Sequence, residues 1–437
     1  MSKLLFLTNV IRRMGVMQQT VTRLQNENSL FSESSCHWIT ESTTWDKKWE
    51  KELYSCHLLM MKWMGTGLDT PFLKRCVRVL QERKIPYYID AAGTDEGELS
   101  YGLSKEQLAR IKQYSLYGGE HNYYNLWQYV EAVLCGEENG VEPPKPVHWC
   151  GIFHPKAQDA YTDLAAYKRD YCSPNKPTVG ILFYRDEWVW GDLGYQTAII
   201  EAIEAQGMNA ICVFSNGMPV AELGMPSLTQ VFDSFFQENG LPAIDLLINV
   251  MKFSMTSSGS ISIDYFKKWN VPILEGYTIM TPVSEWENSL EGMNAMEVSI
   301  AISMPELDGI VHGVPVAAKK VLENGDVRYL PITERVERMV SRAKKWALLR
   351  RKENSEKRIA IIFHNYPPRN SNIGSALGLD TIESIRRTLQ LMQERGYKVE
   401  VIPEDTKEFI RELTANATND IALLTEKQLQ RAQKVTK

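Results

Sequence analysis

Most of the side chains that could do chemistry lie in one loop, HNYPPRNSNIG at residues 364–374. Its candidate substrate-binding residues are His364, Asn365, Tyr366, Arg369, Asn372 and Gly374. An imidazole exchanges a proton near neutral pH, and a guanidinium pairs with a carboxylate through two hydrogen bonds. Asparagine amides supply donors and acceptors, and Gly374 permits close backbone approach. These types suit recognition of carboxylates or amides on a ligand rim, although the asparagines could instead cap turns while Tyr366 packs on a sheet.

A second loop, YRDEWVWGD at residues 184–192, combines a cation, carboxylates and indoles. A flat ring could stack on Trp188 while Arg185 binds a carboxylate at its edge. The alternative is that Arg185 clamps Asp192 and the tryptophans cover a domain interface. His312 is a further candidate, since it precedes Gly313 at a predicted strand end, where it could transfer a proton or serve only as a structural histidine. Glu275 closes another predicted strand and lies in a similar position.

Several classes of site are absent from the sequence. No G-x-x-x-x-G-K-[ST] motif occurs, so no nucleotide cofactor is expected on this chain. The seven cysteines lack C-x-x-C spacing, and His148 with His154 lacks the recurring spacing of a zinc site, so no metal site is predicted. A net charge of -5 gives no general attraction to nucleic acid, and no apolar run reaches membrane-spanning length. We therefore expect a cytoplasmic protein with reduced thiols.

The loops are positioned by segments that alternate between strand and helix patterns. Ile359–Phe363 is an unbroken apolar run, typical of a strand buried on both faces of a parallel sheet. An amphipathic helix from Asp380 and a strand at Lys398–Ile402 follow. Ligands of open α/β sheets bind outside the carboxyl ends of the strands, which is where loop 364–374 lies. The other predicted strands are Leu4–Leu7, Leu53–Trp63, Pro86–Ile89, Val179–Tyr184, Ala210–Phe214, Ala243–Val250, Pro272–Glu275 and Asp308–Val311.

Predicted helices separate these strands, at Pro71–Arg83, Leu103–Tyr114, Asn122–Leu134, Ile263–Trp269 and Thr333–Arg351. The pattern predicts an α/β protein of several β-α-β modules with mostly parallel sheets. The proline-rich connector 142–146 and the polar run 352–357 divide the chain. We predict an N-terminal α/β domain at 1–141, a second α/β region at 147–352, and the start of a further α/β domain at 358–437.

Three stretches resemble the CobN/magnesium-chelatase H family. They are NYPP followed by NIG and by D-x-x-E at residues 365–383, YGGEHNYYNL at Tyr117–Leu126, and Gly151–Asp192, which begins GIFHP and ends GILFYRDEWVWGD. The last two are most similar to the cobaltochelatase branch. Family members are much longer, so the chain resembles their N-terminal portion only, and their chelation site lies mostly in the later part.

The resemblance implies a large subunit that holds a tetrapyrrole during ATP-dependent metal insertion. Cobalt insertion into hydrogenobyrinic acid a,c-diamide, for cobalamin synthesis, is the implied reaction. The implied substrate metal is cobalt or magnesium, with ATP hydrolysed on AAA+ partner subunits. A magnesium chelatase H-type subunit and a non-catalytic tetrapyrrole-binding or scaffold paralogue remain alternatives, as does an unrelated α/β enzyme such as a sugar transferase. No catalytic residue follows from the sequence.

Overall fold

The chain divides into two compact units, Met1–Ala347 and Leu348–Lys437. The computed structural model describes residues 3–10, 14–27, 34–40, 42–63, 70–91, 99–137, 140–322 and 327–432. Within these ranges no helix is long and apolar enough to cross a membrane. Both of the larger sheets described below belong to the first unit.

A four-stranded parallel sheet opens the first unit. Its strands are β1 (Leu4–Thr8), β2 (Ser35–Trp38), β3 (Leu58–Trp63) and β4 (Tyr87–Ala91), in the order β2-β1-β3-β4. Central strands β1 and β3 are buried almost throughout, because helices cover both faces. One face packs against the helices Lys47–Ser55 and Pro71–Glu82, and the other against Met14–Asn26, Lys105–Tyr117 and Gly119–Cys135.

A seven-stranded sheet forms the rest of the first unit. The strands in chain order are β5 (Gly151–Phe153), β6 (Thr178–Tyr184), β7 (Asn209–Ser215), the two-residue pair β8 (Gln237–Glu238) and β9 (Leu241–Pro242) outside this sheet, β10 (Leu246–Asn249), β11 (Ile273–Ile279), β12 (Gly313–Val321) and β13 (Val327–Pro331). The spatial order is β13-β12-β11-β10-β6-β7-β5, with only the edge strands β5 and β13 antiparallel. The chain adds β7 on one side of β6 and β10 on the other, so the winding direction reverses between β6 and β10.

Helices cover this sheet as well. The helices Gly194–Ala205 and Thr333–Arg351 pack on one face, and Leu164–Tyr171, Leu228–Phe235 and Ile263–Trp269 pack on the other. Arg185–Val189 is a single turn directly after β6. Short helices at Val283–Asn288, Ala295–Val298 and Met304–Glu306 lie between β11 and β12, with a π-helical turn at Ser299–Ser303.

The second unit contains helices and extended segments. Its helices are Thr381–Glu394, Thr406–Thr414 and Glu426–Arg431. The first confirms the predicted amphipathic helix, which Asp380 caps by accepting a hydrogen bond from the Glu383 amide at 3.1 Å. The strands predicted at Ile359–Phe363 and Lys398–Ile402 were wrong, because neither segment is a strand in the structure. An apolar run forms a strand only where neighbours accept and donate its backbone hydrogen bonds, and the described part of this unit supplies none.

Two other expectations need correction. Asp308–Val311 was predicted as a strand but follows the Met304–Glu306 helix as a turn, and β12 begins only at Gly313. Leu53–Trp63 is not one strand, because Leu53 lies one turn from Trp49 on the buried face of a helix that ends at Ser55. The other predicted strands and helices are confirmed, with ends shifted by up to four residues, and so is the α/β class with mostly parallel sheets. The three domain boundaries stay a prediction.

Candidate functional site

Loop 364–374 is closed by its own backbone. The Gly374 amide donates to the His364 carbonyl at 2.9 Å, and the Asn372 side chain donates to the Pro367 carbonyl at 2.9 Å. Gly374 has a φ of +74°, and a β-carbon there would lie 3.2 Å from the Thr381 side chain. A side chain at this left-handed position would be strained and would crowd the Thr381 side chain, so glycine suits the position and Gly374 shapes the loop.

A second segment braces the same loop. The buried Asp420 carboxylate accepts a hydrogen bond from the Asn370 amide at 2.9 Å, and the Thr418 hydroxyl donates to the Asn370 side chain at 2.7 Å. Asn419 donates to the Asn365 carbonyl at 3.1 Å and accepts a hydrogen bond from the Asn365 side chain. The predicted binding residues Asn365 and Asn372 therefore fix the loop, which fits the turn-capping alternative.

The braced loop presents three other predicted residues to solvent. His364, Tyr366 and Arg369 are exposed, with Tyr366 exposed by 74%. The rings of His364 and Tyr366 lie 6.4 Å apart. No carboxylate in the described ranges pairs with Arg369. An imidazole, a phenol ring and an uncommitted guanidinium on one rigid loop can bind a flat ligand that carries an acidic rim.

Arg185, in contrast, is buried and directed at main-chain carbonyls. Its guanidinium donates to His148 at 2.6 Å, Leu116 at 3.0 Å, Tyr117 at 2.9 Å and Val147 at 3.3 Å. The same group stacks over the Trp149 ring at 4.5 Å. Only 4% of Arg185 is exposed, so the side chain joins three stretches of chain and offers no surface to an incoming carboxylate.

The aromatic residues of the second loop are committed to packing. Trp188 lies flat on Phe214, with ring centroids 4.2 Å apart and planes 8° apart. Trp190 packs against Tyr123 at 5.1 Å. Asp192 is half-buried and its amide donates to the Glu187 carbonyl at 2.9 Å. These contacts favour the interface role over ring stacking.

Two of the stretches that resemble the family, Tyr117–Leu126 and Gly151–Asp192, pack against each other. Gly118 has a φ of +70°, and a β-carbon there would lie 3.1 Å from the Val189 side chain. Asn122 binds the Gly118 carbonyl at 2.8 Å, and its side chain exchanges two hydrogen bonds with the Lys145 backbone at 2.8 and 3.0 Å. The connector 142–146 is thus tied to the helix that begins at Gly119.

His312 is exposed at the amino end of β12, because the strand predicted before it does not form. Its ring lies 6.2 Å from that of Trp346, and its carbonyl accepts a hydrogen bond from the Glu275 amide at 2.8 Å. It does not lie at the carboxyl end of a strand, as the sequence had suggested. Of the ten predicted residues, six lie in the second unit and four in the first.

The structure adds a site where the sheet reverses direction between β6 and β10. Glu275 lies on β11, level with Asn249 at the carboxyl end of β10, and is 1% exposed. One carboxyl oxygen accepts a hydrogen bond from the Asn249 side chain at 2.9 Å, and the other accepts none within the described ranges. Burial raises the pKa of Glu275 well above its ordinary value; the Asp308 charge raises it further, while Asn249 and Lys252 oppose the shift.

The loop after β10 shapes this site. Lys252 and Phe253 adopt φ values of +59° and +54°, a left-handed backbone that costs non-glycine residues about 1–3 kcal/mol each. The buried Asp308 carboxylate holds the next turn by accepting hydrogen bonds from the Ser254 hydroxyl at 2.7 Å and the Met255 amide at 2.6 Å.

Tyr184, at the end of β6, borders the same region. Burial raises its pKa, and the nearby Glu187 and Glu275 charges raise it further. Glu187 is buried and accepts hydrogen bonds from the Tyr195 hydroxyl and the Gln196 side chain, both at 2.5 Å. A protonated Glu275 can donate one hydrogen bond, which is the chemistry that a buried neutral carboxyl offers. Sequence reasoning singled out Glu275 at a strand end but did not identify its neighbours, because strand order cannot be read from strand patterns.

The described ranges contain no group of three or more histidine, cysteine, aspartate or glutamate side chains that could hold a metal ion.

The chain matches a family model described as CobN/Magnesium Chelatase over residues 112–437. It is 34% identical over 335 residues to an uncharacterised protein of Methanocaldococcus jannaschii, which covers 74% of this chain and 27% of the relative. It is 27% identical over 328 residues to the aerobic cobaltochelatase subunit CobN of Pseudomonas aeruginosa, and the match covers 73% of this chain and 25% of the relative. It is 28% identical over 334 residues to the magnesium-chelatase subunit ChlH of Oryza sativa subsp. indica, and the match covers 71% of this chain and 23% of the relative.

A solved structure shares the fold. The catalytic subunit of cobaltochelatase from Mycobacterium tuberculosis aligns with a TM-score of 0.55 at 19% identity, covering 95% of this chain and 33% of that one. The chain thus spans about a quarter of the length of the curated relatives it matches and a third of the solved neighbour.

Removing the guanidinium of Arg185 should destabilise the first unit. Arg185→Met leaves buried carbonyls without donors, and we expect a loss of about 3 kcal/mol in the free energy of unfolding. Urea unfolding followed by tryptophan fluorescence measures this, since all eleven tryptophans precede Ala347. Arg169→Met, at an exposed arginine, is the matched control and should cost less than about 0.5 kcal/mol. Equal losses of unfolding free energy in the two variants would show that the Arg185 hydrogen bonds do not stabilise the first unit.

The pH dependence of stability should report Glu275. Because its pKa is raised on folding, the stability it contributes is complete below pH 4.5, its ordinary pKa, and is lost as the pH rises. Glu275→Gln keeps an oxygen for Asn249 but cannot ionise. The free energy of unfolding of the variant, relative to that of the wild type, should therefore rise by about 1.4 kcal/mol per pH unit above pH 4.5. This rise should stop once the wild-type carboxyl has lost its proton.

The measurement is urea unfolding at pH 5, 6, 7 and 8, again by tryptophan fluorescence. For Glu222→Gln, at an exposed glutamate, the free energy of unfolding should differ from that of the wild type by the same amount at every pH. A margin for Glu275→Gln that stays constant from pH 5 to 8 would show that Glu275 ionises normally in the folded chain.

Proposed function

Because the chain belongs to the CobN/magnesium chelatase family, we propose that it acts as the tetrapyrrole-binding part of a chelatase large subunit. The proposed substrate is hydrogenobyrinic acid a,c-diamide, and cobalt is the metal inserted into it. Arg369 carries this proposal, because it is an exposed guanidinium with no carboxylate partner in the described ranges, on a loop held by its own hydrogen bonds and by segment 418–420.

The geometry of loop 364–374 suits a macrocycle with polar groups on its rim. Arg369 can bind a rim carboxylate through two hydrogen bonds, and an exposed Tyr366 ring can stack on the flat face. His364 lies beside Tyr366, and its imidazole can form a hydrogen bond with a polar group of the ring. Because Asp420 and Asn419 fix the loop beforehand, little conformational entropy is lost when the ring binds.

Cobalt is proposed over magnesium on the strength of residues 151–192, which resemble the cobaltochelatase branch. Overall identity does not separate the two, since it is 27% to the CobN relative and 28% to the ChlH relative. We also propose that AAA+ partner subunits hydrolyse the ATP, since the chain has no phosphate-binding motif. All seven cysteines are unbridged, which supports a cytoplasmic site of action.

A non-catalytic tetrapyrrole-binding role is the second candidate. It rests on the same loop, because the exposed groups of residues 364–374 suit ring binding and do not by themselves require turnover. Both candidates require ring binding, and only the first requires turnover.

Ring binding is the first test. Titration of the purified chain with hydrogenobyrinic acid a,c-diamide, followed by the ring's absorbance, should saturate at lower concentration than titration with protoporphyrin. Arg369→Ala should weaken corrinoid binding about tenfold or more, the loss expected for a charge-assisted pair. Arg411→Ala, at an exposed arginine of the same unit, should bind as the wild type does. Failure of both rings to bind would overturn the proposal.

Metal insertion is the second test. The chain is combined with AAA+ chelatase subunits, ATP, either the corrinoid or protoporphyrin, and either Co²⁺ or Mg²⁺, and metallated product is measured by absorbance. We expect ATP-dependent product with Co²⁺ only. Product with Mg²⁺ and a porphyrin would move the chain to the magnesium branch, and saturable binding without product would favour the non-catalytic role.

A further inference from the structure

Four polar side chains lie on neighbouring strands of the seven-stranded sheet. Tyr184 closes β6 and pairs in register with Ser215 of β7, and Asn249 closes β10 and pairs with Glu275 of β11. Each lies two residues beyond a residue that packs in one apolar cluster, namely Leu182, Val213, Leu247 and Ile273 respectively. Because side chains alternate along a strand, the four polar groups share one face of the sheet. That face thus changes from apolar to polar at the carboxyl ends of β6 and β10.

This polar row crosses the point where the winding of the sheet reverses. The chain leaves β6 for the helix Gly194–Ala205 on one face, and it leaves β10 for the helix Ile263–Trp269 on the other. Open α/β sheets bind ligands outside the carboxyl ends of the strands at such a point. The polar row therefore lies where the fold favours a binding site.

Two groups of the row have hydrogen-bonding capacity to spare. Glu275 is 1% exposed, and one of its carboxyl oxygens accepts no hydrogen bond from any described residue. The Tyr184 hydroxyl makes no hydrogen bond within the described ranges, and its side chain is half-buried. Asn249 pairs with Leu182, so Tyr184 lies two residues, or about 7 Å, further along the strand direction. One small molecule can therefore reach both groups.

The side chain of Met251 covers the row. Met251 lies two residues beyond Asn249 on the same face and is 3% exposed. A β-carbon on Gly217, in the loop after β7, would lie 3.0 Å from the Met251 methyl group. Because β6 lies between β7 and β10, Met251 reaches across the end of β6. A flexible methionine side chain can change rotamer without rearranging the sheet, so this cover can move.

We propose that the carboxyl ends of β6 and β10 bind a small uncharged molecule through a carboxamide. The carboxamide oxygen accepts a hydrogen bond from Glu275, and its N–H group donates to the Tyr184 hydroxyl. Met251 closes over the bound molecule. The site belongs to the first unit and does not depend on ring binding by loop 364–374.

Charge favours an uncharged ligand. The carboxyl groups of Glu187, Glu275 and Asp308 lie near the row and disfavour an anion. The Lys252 ammonium lies over the Tyr329 ring, 5.3 Å from its centroid. Burial raises the pKa of Glu275, so at neutral pH its carboxyl keeps a proton that it can donate to an oxygen. A carboxamide suits the pair of groups because its acceptor and its donor are separate atoms.

The experiment titrates the full chain at neutral pH with benzamide, benzoate and benzylamine. These probes are similar in size and are uncharged, anionic and cationic respectively. Saturation-transfer NMR follows binding through the signals of the probe. We expect saturable binding of benzamide and at least tenfold weaker binding of the other two probes.

Variants localise the bound probe. Glu275→Gln keeps an N–H donor in place of the carboxyl proton and should bind benzamide within about twofold of the wild type. Glu275→Leu removes the donor and should weaken binding about tenfold, and Tyr184→Phe should weaken it about fivefold. Glu201→Gln, at an exposed glutamate of the helix Gly194–Ala205, is the matched control and should bind as the wild type does. Urea unfolding checks that each variant is folded, and Tyr184→Phe decides if Glu275→Leu is not.

Three results would overturn the proposal. One is the absence of saturable benzamide binding, and another is binding that loss of the Glu275 donor or of the Tyr184 hydroxyl leaves unchanged. The third is tighter binding of benzylamine that Glu275→Gln abolishes, which would assign the row to a cation. Ring binding is titrated separately, so the two proposals can fail independently.

Discussion

The first unit depends on one buried cation. Arg185 emerges from the end of β6 and binds carbonyls that belong to the helix before Gly118 and to the connector before β5. Carbonyl groups at such chain ends have no partner in a sheet or helix, and a guanidinium carries enough donors to serve several of them at once. Leu116 and Tyr117 end a helix that packs on the four-stranded sheet, and Arg185 directly follows β6 of the seven-stranded sheet, so this side chain ties the two parts of the first unit together.

Buried carboxyl groups in the same unit differ in how completely hydrogen-bond donors satisfy their oxygens. Asp308 and Glu187 receive several hydrogen bonds each, and so are well solvated by the protein. Glu275 keeps one carboxyl oxygen without a donor in the described ranges, and burial raises its pKa. The contrast matters because proteins rarely leave a buried carboxyl oxygen without a donor in a purely structural position. The carboxyl end of β10 is therefore a second candidate functional region, in addition to loop 364–374.

Sequence patterns predicted the elements well wherever partners lie nearby. Val179–Tyr184 and Thr333–Arg351 form as expected, because burial of one apolar face decides each of them. The same reasoning failed at Ile359–Phe363, where the pattern was right for a strand but strand formation needs a neighbour that the pattern cannot supply. It also could not separate Arg185 from Arg369, since burial decides which arginine is exposed and sequence spacing does not encode burial.

Strand register gives the seven-stranded sheet a stepped edge. Glu275 pairs with both Asn249, the last residue of β10, and Gly313, the first residue of β12, while β11 runs on to Ile279. Beyond that level β11 keeps a neighbour on one side only. The segment 250–256, with its two left-handed residues, takes the place of the missing strand. Conformation of a short loop, more than the geometry of the sheet, therefore determines how much of Glu275 a molecule arriving from that side would meet.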